Sequence, residues 1–187
     1  MPQNPNPQGK GLTPVLEEWR GAQPAQVTAK APRQVLADYF TTLLVLSAEF
    51  NFKPTTGVDY FLYLREGGWL LSLIAPAEWR GRAPGPCAGR CELQRDMTWT
   101  LAPADDLAEQ PDLVAALAEF QQGFVALLDS ESALEESLPY YVAQLPYYRR
   151  LLAAGMAKSL ESSMALAGLS GHSGRHWLDS SPLPRLA

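Results

Sequence analysis

Residues 58–79, VDYFLYLREGGWLLSLIAPAEW, decide the fold. Two apolar, strand-favouring runs, DYFLYLR and WLLSLIA, flank Glu66-Gly67-Gly68, where glycine supplies the positive φ that a tight turn demands. The stretch reads as a β-hairpin. Successive side chains of a strand point to opposite faces, so Tyr60, Leu62 and Leu64 share one side and Phe61, Tyr63 and Arg65 the other. In the second strand Trp69, Leu71 and Leu73 alternate with Leu70, Ser72 and Ile74. Both faces are largely apolar, and a lone hairpin is marginal in water, so further strands and helices must cover at least one side.

The chain on either side supplies them. Upstream, PRQVLADYFTTLLVLSAEFNF carries Leu36, Tyr39, Phe40, Leu43, Ser47 and Phe50 at spacings of three and four, which predicts an amphipathic helix from Arg33 to Phe50 as the cover for one hairpin face. Downstream, GRAPGPCAGR reads as an irregular loop, and CELQRDMTWTL resumes strand composition. Arg95-Asp96 is either a bend in one strand or the turn of a second hairpin, so the sheet has three or four antiparallel strands, ending at Pro103. The fold class is α+β.

Past Pro103 the pattern is helical. Leu113, Leu117, Phe120, Phe124 and Leu127 form a seam for another helix, starting at Pro111-Asp112. A second helical region, Ser130 to Ala167, is interrupted by Pro139 and Pro146, each opening a Pro-Tyr-Tyr unit, because proline removes a helical hydrogen bond and clashes with the preceding turn. Gly168 is a normal helix stop. The resulting organisation is a disordered terminus over 1–12, poor in apolar groups, an α+β core over 13–103, a helical region over 104–169 packed on the core or a partner, and a tail over 170–187, with Trp177 as its one docking point. Within the core, Thr13-Pro14 opens a short helix through Trp19, and Gly21 to Ala31 is linker.

Charge is laid out unevenly. From Met97 to Tyr148 there is no Lys or Arg, while Arg80, Arg82, Arg90 and Arg95 crowd the preceding loop and strand. Two readings stand: opposite fields facing each other within the chain or across a dimer, or an arginine pocket for a phosphate or carboxylate. The layout makes a poor backbone-tracking surface, which argues against nucleic acid. No apolar run approaches the roughly 20 residues of a membrane span, and the N-terminus MPQNPNPQGKG lacks the pattern of a signal peptide. The expectation is a cytoplasmic protein with no membrane association, and its two cysteines are too few for a disulfide scaffold and fit reduced thiols equally well.

Tyr60, Leu62, Tyr63, Arg65, Gly68, Ser72, Ile74, Pro76, Glu78 and Trp79, followed by Gly89, Leu93, Gln94, Asp96, Thr98 and Trp99, form an ordered pattern of tyrosine-rich hairpin, Pro-x-Glu-Trp and Asp-x-Thr-Trp. Over roughly residues 33–103 this resembles a family of uncharacterised conserved proteins, a domain of unknown function with bacterial and animal members. The resemblance implies no activity, ligand or catalytic residue.

Chemistry is sparse. Cys87 and Cys91, with His172 and His176, count out as a tetrahedral zinc set, but the pairs lie in a proline-glycine loop and a tail, so no metal and no cofactor is assigned. Gly171-His172-Ser173-Gly174 lacks the second glycine of a nucleophile elbow. Glu78 and Asp96 are the carboxylates that an enzyme would use, against local roles at a helix start and a turn, and the reading leans away from an enzyme. The aromatics speak for contact. The first expectation is a self-associating homodimer or a protein-binding module that uses Tyr140, Tyr141, Tyr147 and Tyr148 of the helical region. The alternative is a small-ligand domain, anions included, with a pocket between sheet and helix lined by Tyr60, Tyr63, Trp69 and Trp79 and gated by Arg80 and Arg82.

Overall fold

The computed structural model describes residues 17, 20–140 and 144–181. The readings for residues 1–12, for the short helix before Trp19 (Glu17 apart) and for the tail past Ser181 fall outside the described residues. Within them the chain is α+β, with a four-stranded antiparallel sheet, a long helix across it and a helical C-terminal region.

Strands β1 (Asp59–Arg65) and β2 (Gly68–Ser72) form the hairpin, with Arg65 opposite Gly68 across the turn. Strand β3 (Cys87–Leu93) pairs with the other edge of β1, and β4 (Trp99–Pro103) with β3, giving the order β2-β1-β3-β4. Of the two readings for Arg95-Asp96, the second hairpin is realised. Its turn is closed by the Gln94 N–H to the Thr98 carbonyl, and the Asp96 carboxylate accepts from the Thr98 N–H at 3.1 Å and hydroxyl at 2.7 Å.

Two strand boundaries differ from expectation. β2 stops at Ser72, because the Ser72 hydroxyl accepts the Ile74 N–H and turns the chain out of the ladder. β3 begins at Cys87, inside the stretch read as loop, because a bulge carries it there. The register slips so that Tyr63 faces Cys87 while Leu62 faces Gly89. Gly89 has φ 152, and a Cβ there would lie 2.2 Å from the Ala102 carbonyl oxygen, so glycine alone fits.

Helix α1 (Pro32–Ser47) ends three residues before Phe50. Ala48 turns extended, and Glu49 enters the sheet edge beside Leu70, its N–H on the Trp69 carbonyl at 2.8 Å and its carbonyl accepting the Leu71 N–H at 3.0 Å. Nor is α1 a cover with one buried stripe: Val35, Leu36, Tyr39 and Leu44 are fully buried, and so is Thr42. The reason is its place between the sheet on one side and helix α3 (Tyr147–Leu166) on another. The buried Thr42 hydroxyl is satisfied by the Trp99 N–H at 3.0 Å.

Helix α2 (Pro111–Leu128) lays its predicted seam on α1, where Tyr39 and Phe40 meet Phe120 and Phe124 edge to face at centroid distances of 5.2 to 5.5 Å. Leu128 takes the buried position expected of Leu127, which is 46% exposed. The chain is broken before α3, which starts after Pro146 and ends in a Schellman-type stop, with the Leu169 N–H on the Met164 carbonyl. The small residues of α3 admit the segment Gly21 to Ala31 alongside: the Ser163 hydroxyl donates to the Thr28 carbonyl at 2.8 Å, and the Ala25 N–H reaches the Arg95 carbonyl. That segment was expected to be linker, yet it is tied down.

The residues after 170 do not form a bare tail. Ser173 caps helix α4 (Gly174–Ser180), accepting the His176 N–H, and Trp177 is 2% exposed in the common core. A Cβ at Gly174 would lie 2.1 Å from the Leu128 carbonyl oxygen, so glycine permits the close approach of α4 to the end of α2. Arg175 pairs with Asp129 at 2.9 Å and with Glu131, so the acidic segment finds its cation in α4, whereas Arg90 pairs with Asp59 across β3 and β1. Among the described residues no helix is long and apolar enough to cross a membrane.

Candidate functional site: a polar cleft over a buried ion centre

The segment that α3 pins brings Lys30 against the start of α1 and the second hairpin. Its ammonium lies 2.5 Å from an Asp38 oxygen and 2.5 Å from an Asp96 oxygen. The side chains are 15%, 4% and 11% exposed respectively, which makes this a buried ion centre and not a surface pair. The remaining acceptor oxygens are also engaged: Gln34 donates to Asp38 at 2.7 Å, and Thr98 donates twice to Asp96. Each partner comes from a different local structure. Asp38 and Gln34 sit one turn apart on α1, and Asp96 is held by its own turn.

The two carboxyls are displaced in opposite directions. Burial raises the Asp38 pKa, and its bonds to Lys30 and Gln34 pull it back only in part. For Asp96 burial acts the same way but is outweighed by Lys30 and Thr98, so its pKa is lowered. Burial by itself would lower the Lys30 pKa, and the two carboxylates raise it instead.

Above this centre lies an open cleft of about 600 Å³. Gln26, Gln94, Thr56 and Thr100 join Gln34 and Thr98 in its lining, so amides and hydroxyls dominate. Its charged groups are two cations, Lys30 and Arg95, and three carboxylates, Asp38, Glu92 and Asp96. Backbone strain collects here as well: of the three described non-glycine residues with positive φ, Gln26 (φ 59) lines the cleft and Met97 (φ 68) stands between Asp96 and Thr98.

The residues expected to form one aromatic pocket are distributed over the sheet. Tyr60 faces α1, stacked on Phe52 and edge-on to Trp99, with its hydroxyl accepting the Thr55 N–H. Tyr63 is on the opposite face, edge-on to Trp79, and its hydroxyl donates to the Ile74 carbonyl. Burial pushes the Tyr63 phenol up to about 12. Arg80 and Arg82 are exposed beyond Trp79, and Trp69 lies half-buried on the hairpin side that faces the helices. Glu78 accepts the Ala75 N–H at 2.7 Å, the local helix-start role.

The thiols part as well. The bulge at Gly89 puts Cys87 with Tyr63 on one face and the buried Cys91 with Tyr60 on the other, and burial pushes the Cys91 thiol up to about 12. The His172 and His176 rings lie together around the start of α4, with centroids 4.7 Å apart and planes tilted by 36°. Among the described residues no group of three or more His, Cys, Asp or Glu is placed to hold a metal ion. In the helical region Tyr140, Tyr147 and Tyr148 are about 40% exposed, Tyr147 edge-on to Tyr148, and Tyr141 lies outside the described residues.

Of the cleft, the sequence names Leu93, Gln94, Asp96 and Thr98 in the family pattern, but offers a chemical role only for Asp96 and Arg95. The signal for Asp38 was a carboxylate in mid-helix between apolar neighbours; Lys30 carried none, in a segment without periodicity.

Among known proteins, a family model described as protein of unknown function, DUF2452, matches residues 22–122, more than half of the chain and a span that includes every residue lining the cleft. No curated protein and no solved structure matches the chain.

Proposed function

We propose, from the premise that the chain belongs to the DUF2452 family of proteins of unknown function, that its domain binds a small neutral, hydroxyl- or amide-bearing molecule in the cleft over Lys30, Asp38 and Asp96. The observation that carries this reading is the placement of an ion centre whose four carboxylate oxygens all accept hydrogen bonds at the wall of an open, polar cleft of ligand size. The lining offers donors and acceptors side by side, which suits polyols and sugars. Its two cations against three carboxylates leave a net charge of −1, which disfavours the anion considered from sequence. Thermal shift against a panel of monosaccharides and polyols, with citrate and phosphate as anionic controls, tests it. A neutral member is expected to raise the melting temperature of the wild type and to lose that effect in a Gln94→Ala, Thr100→Ala variant. A panel in which no neutral member acts, or in which only the anions do, overturns the reading.

A second reading, self-association or a protein partner at the helical region, is favoured by the exposure of Tyr140, Tyr147 and Tyr148. Sedimentation velocity is expected to show a homodimer that becomes a monomer on Tyr147→Ser with Tyr148→Ser. An unchanged sedimentation coefficient would remove these tyrosines from the interface. Under either reading the protein works in the cytoplasm, which the unpaired thiols of Cys87 and Cys91 support.

A further inference from the structure

We propose a second site, for an amphipathic carboxylate of the fatty-acid type, in the groove between the first hairpin and α2. The groove has about 650 Å³ and shares no lining residue with the polar cleft. Leu43 of α1, Leu64 and Trp69 of the hairpin, and Phe120, Phe124 and Leu127 of α2 make its walls apolar. It runs into a hollow of about 520 Å³, with which it shares Gly68, Trp69 and Phe120. There the chemistry changes, because Arg65, Arg149 and Glu49 line the hollow.

The charges at that end are unequal. Glu49 is taken by Arg65. Arg149 donates instead to the Leu46 and Ala48 carbonyls at the end of α1, at 3.4 and 3.0 Å, and lies 5.4 Å over the Phe50 ring, so these partners leave its charge uncompensated. The Nε atoms of Arg65 and Arg149 are both buried without a hydrogen-bond partner, which marks the hollow as short of acceptors. Glu119, the remaining charged lining residue, is exposed on α2, where water screens it. An apolar trough that ends at a guanidinium short of a carboxylate fits an acyl chain carrying one. The volume is that of a small-ligand pocket.

Dodecanoate, kept below its micellar concentration, is the probe, and dodecyltrimethylammonium, with the same tail and the opposite head, is its control. Isothermal titration of the full chain is expected to show one dodecanoate per chain, bound at least tenfold more tightly than the ammonium. Arg149→Gln should weaken dodecanoate about tenfold and leave the ammonium unchanged. Leu127→Glu, at an exposed position that does not threaten folding, should weaken both. Absence of dodecanoate binding, equal binding of the two heads, or indifference to Leu127→Glu overturns the site. A wild-type dimer that Leu127→Glu splits also overturns it, because a second copy would then cover the groove.

Discussion

Replacing Lys30 with methionine is expected to destabilise the protein by about 3–5 kcal/mol and to lower its melting temperature by about 10 °C. The loss is large because two carboxylates, 4% and 11% exposed, would be left facing each other without their shared cation. Most of that loss should be recovered when Asp38→Leu and Asp96→Asn are added, since apolar or neutral groups of similar size leave no buried charge to compensate. Calorimetric melting of the single and the triple variant checks this, and a Lys30→Met loss below about 1 kcal/mol would mean that water reaches the centre freely.

The pH dependence separates the two carboxyls. Asp96 has a lowered pKa in the folded protein, so its contribution is present above the unfolded value and is lost as pH falls through the folded one. Asp38 is raised, so its charged form opposes folding at neutral pH, and the opposition fades as pH falls through its folded value. Asp96→Asn should therefore flatten the acid limb of the stability curve, and Asp38→Asn should steepen it. Lys30 is raised, which holds its contribution below the unfolded lysine value and removes it as pH rises past the folded one.

Trp177→Ala should cost about 3–5 kcal/mol as well, the usual range for a buried tryptophan. The effect is expected although Trp177 stands ten residues from the C-terminus, because α4 is built into the fold: the Leu134 N–H reaches the His172 carbonyl, the Gly174 N–H reaches the Ser132 carbonyl, and Arg175 reaches two acidic residues. Urea denaturation gives the midpoint shift, and limited proteolysis shows whether cleavage moves to residues 167–173. A midpoint equal to that of the wild type would return α4 to the status of a bare tail.

The hairpin was legible because period two shows on both of its runs, and the sheet's end at Pro103 because proline cannot donate to a ladder. The interior position of α1 was not. An apolar stripe announces one buried face, whereas Thr42 and Asp38 on the other faces meet the Trp99 N–H and the Lys30 ammonium only in tertiary contact. The ion centre was hidden for a related reason: Lys30 and Asp96 are 66 residues apart, and neither lies in a periodic element. Cys87 and Cys91, four apart, should share a strand face by alternation, and one bulge at Gly89 reverses that inference. For α4 the cue was present, a serine two residues before Arg175 in capping position, but seven residues are too few for periodicity to speak.

The turn of Glu49 into the sheet has one further consequence. β2 is an outer strand, and its outward amide and carbonyl at Leu71 and Trp69 are the groups through which another extended chain would add. Glu49 already occupies both, so a strand adding at this point of the border would have to displace it, which guards against the edge-to-edge polymerisation that unprotected borders invite.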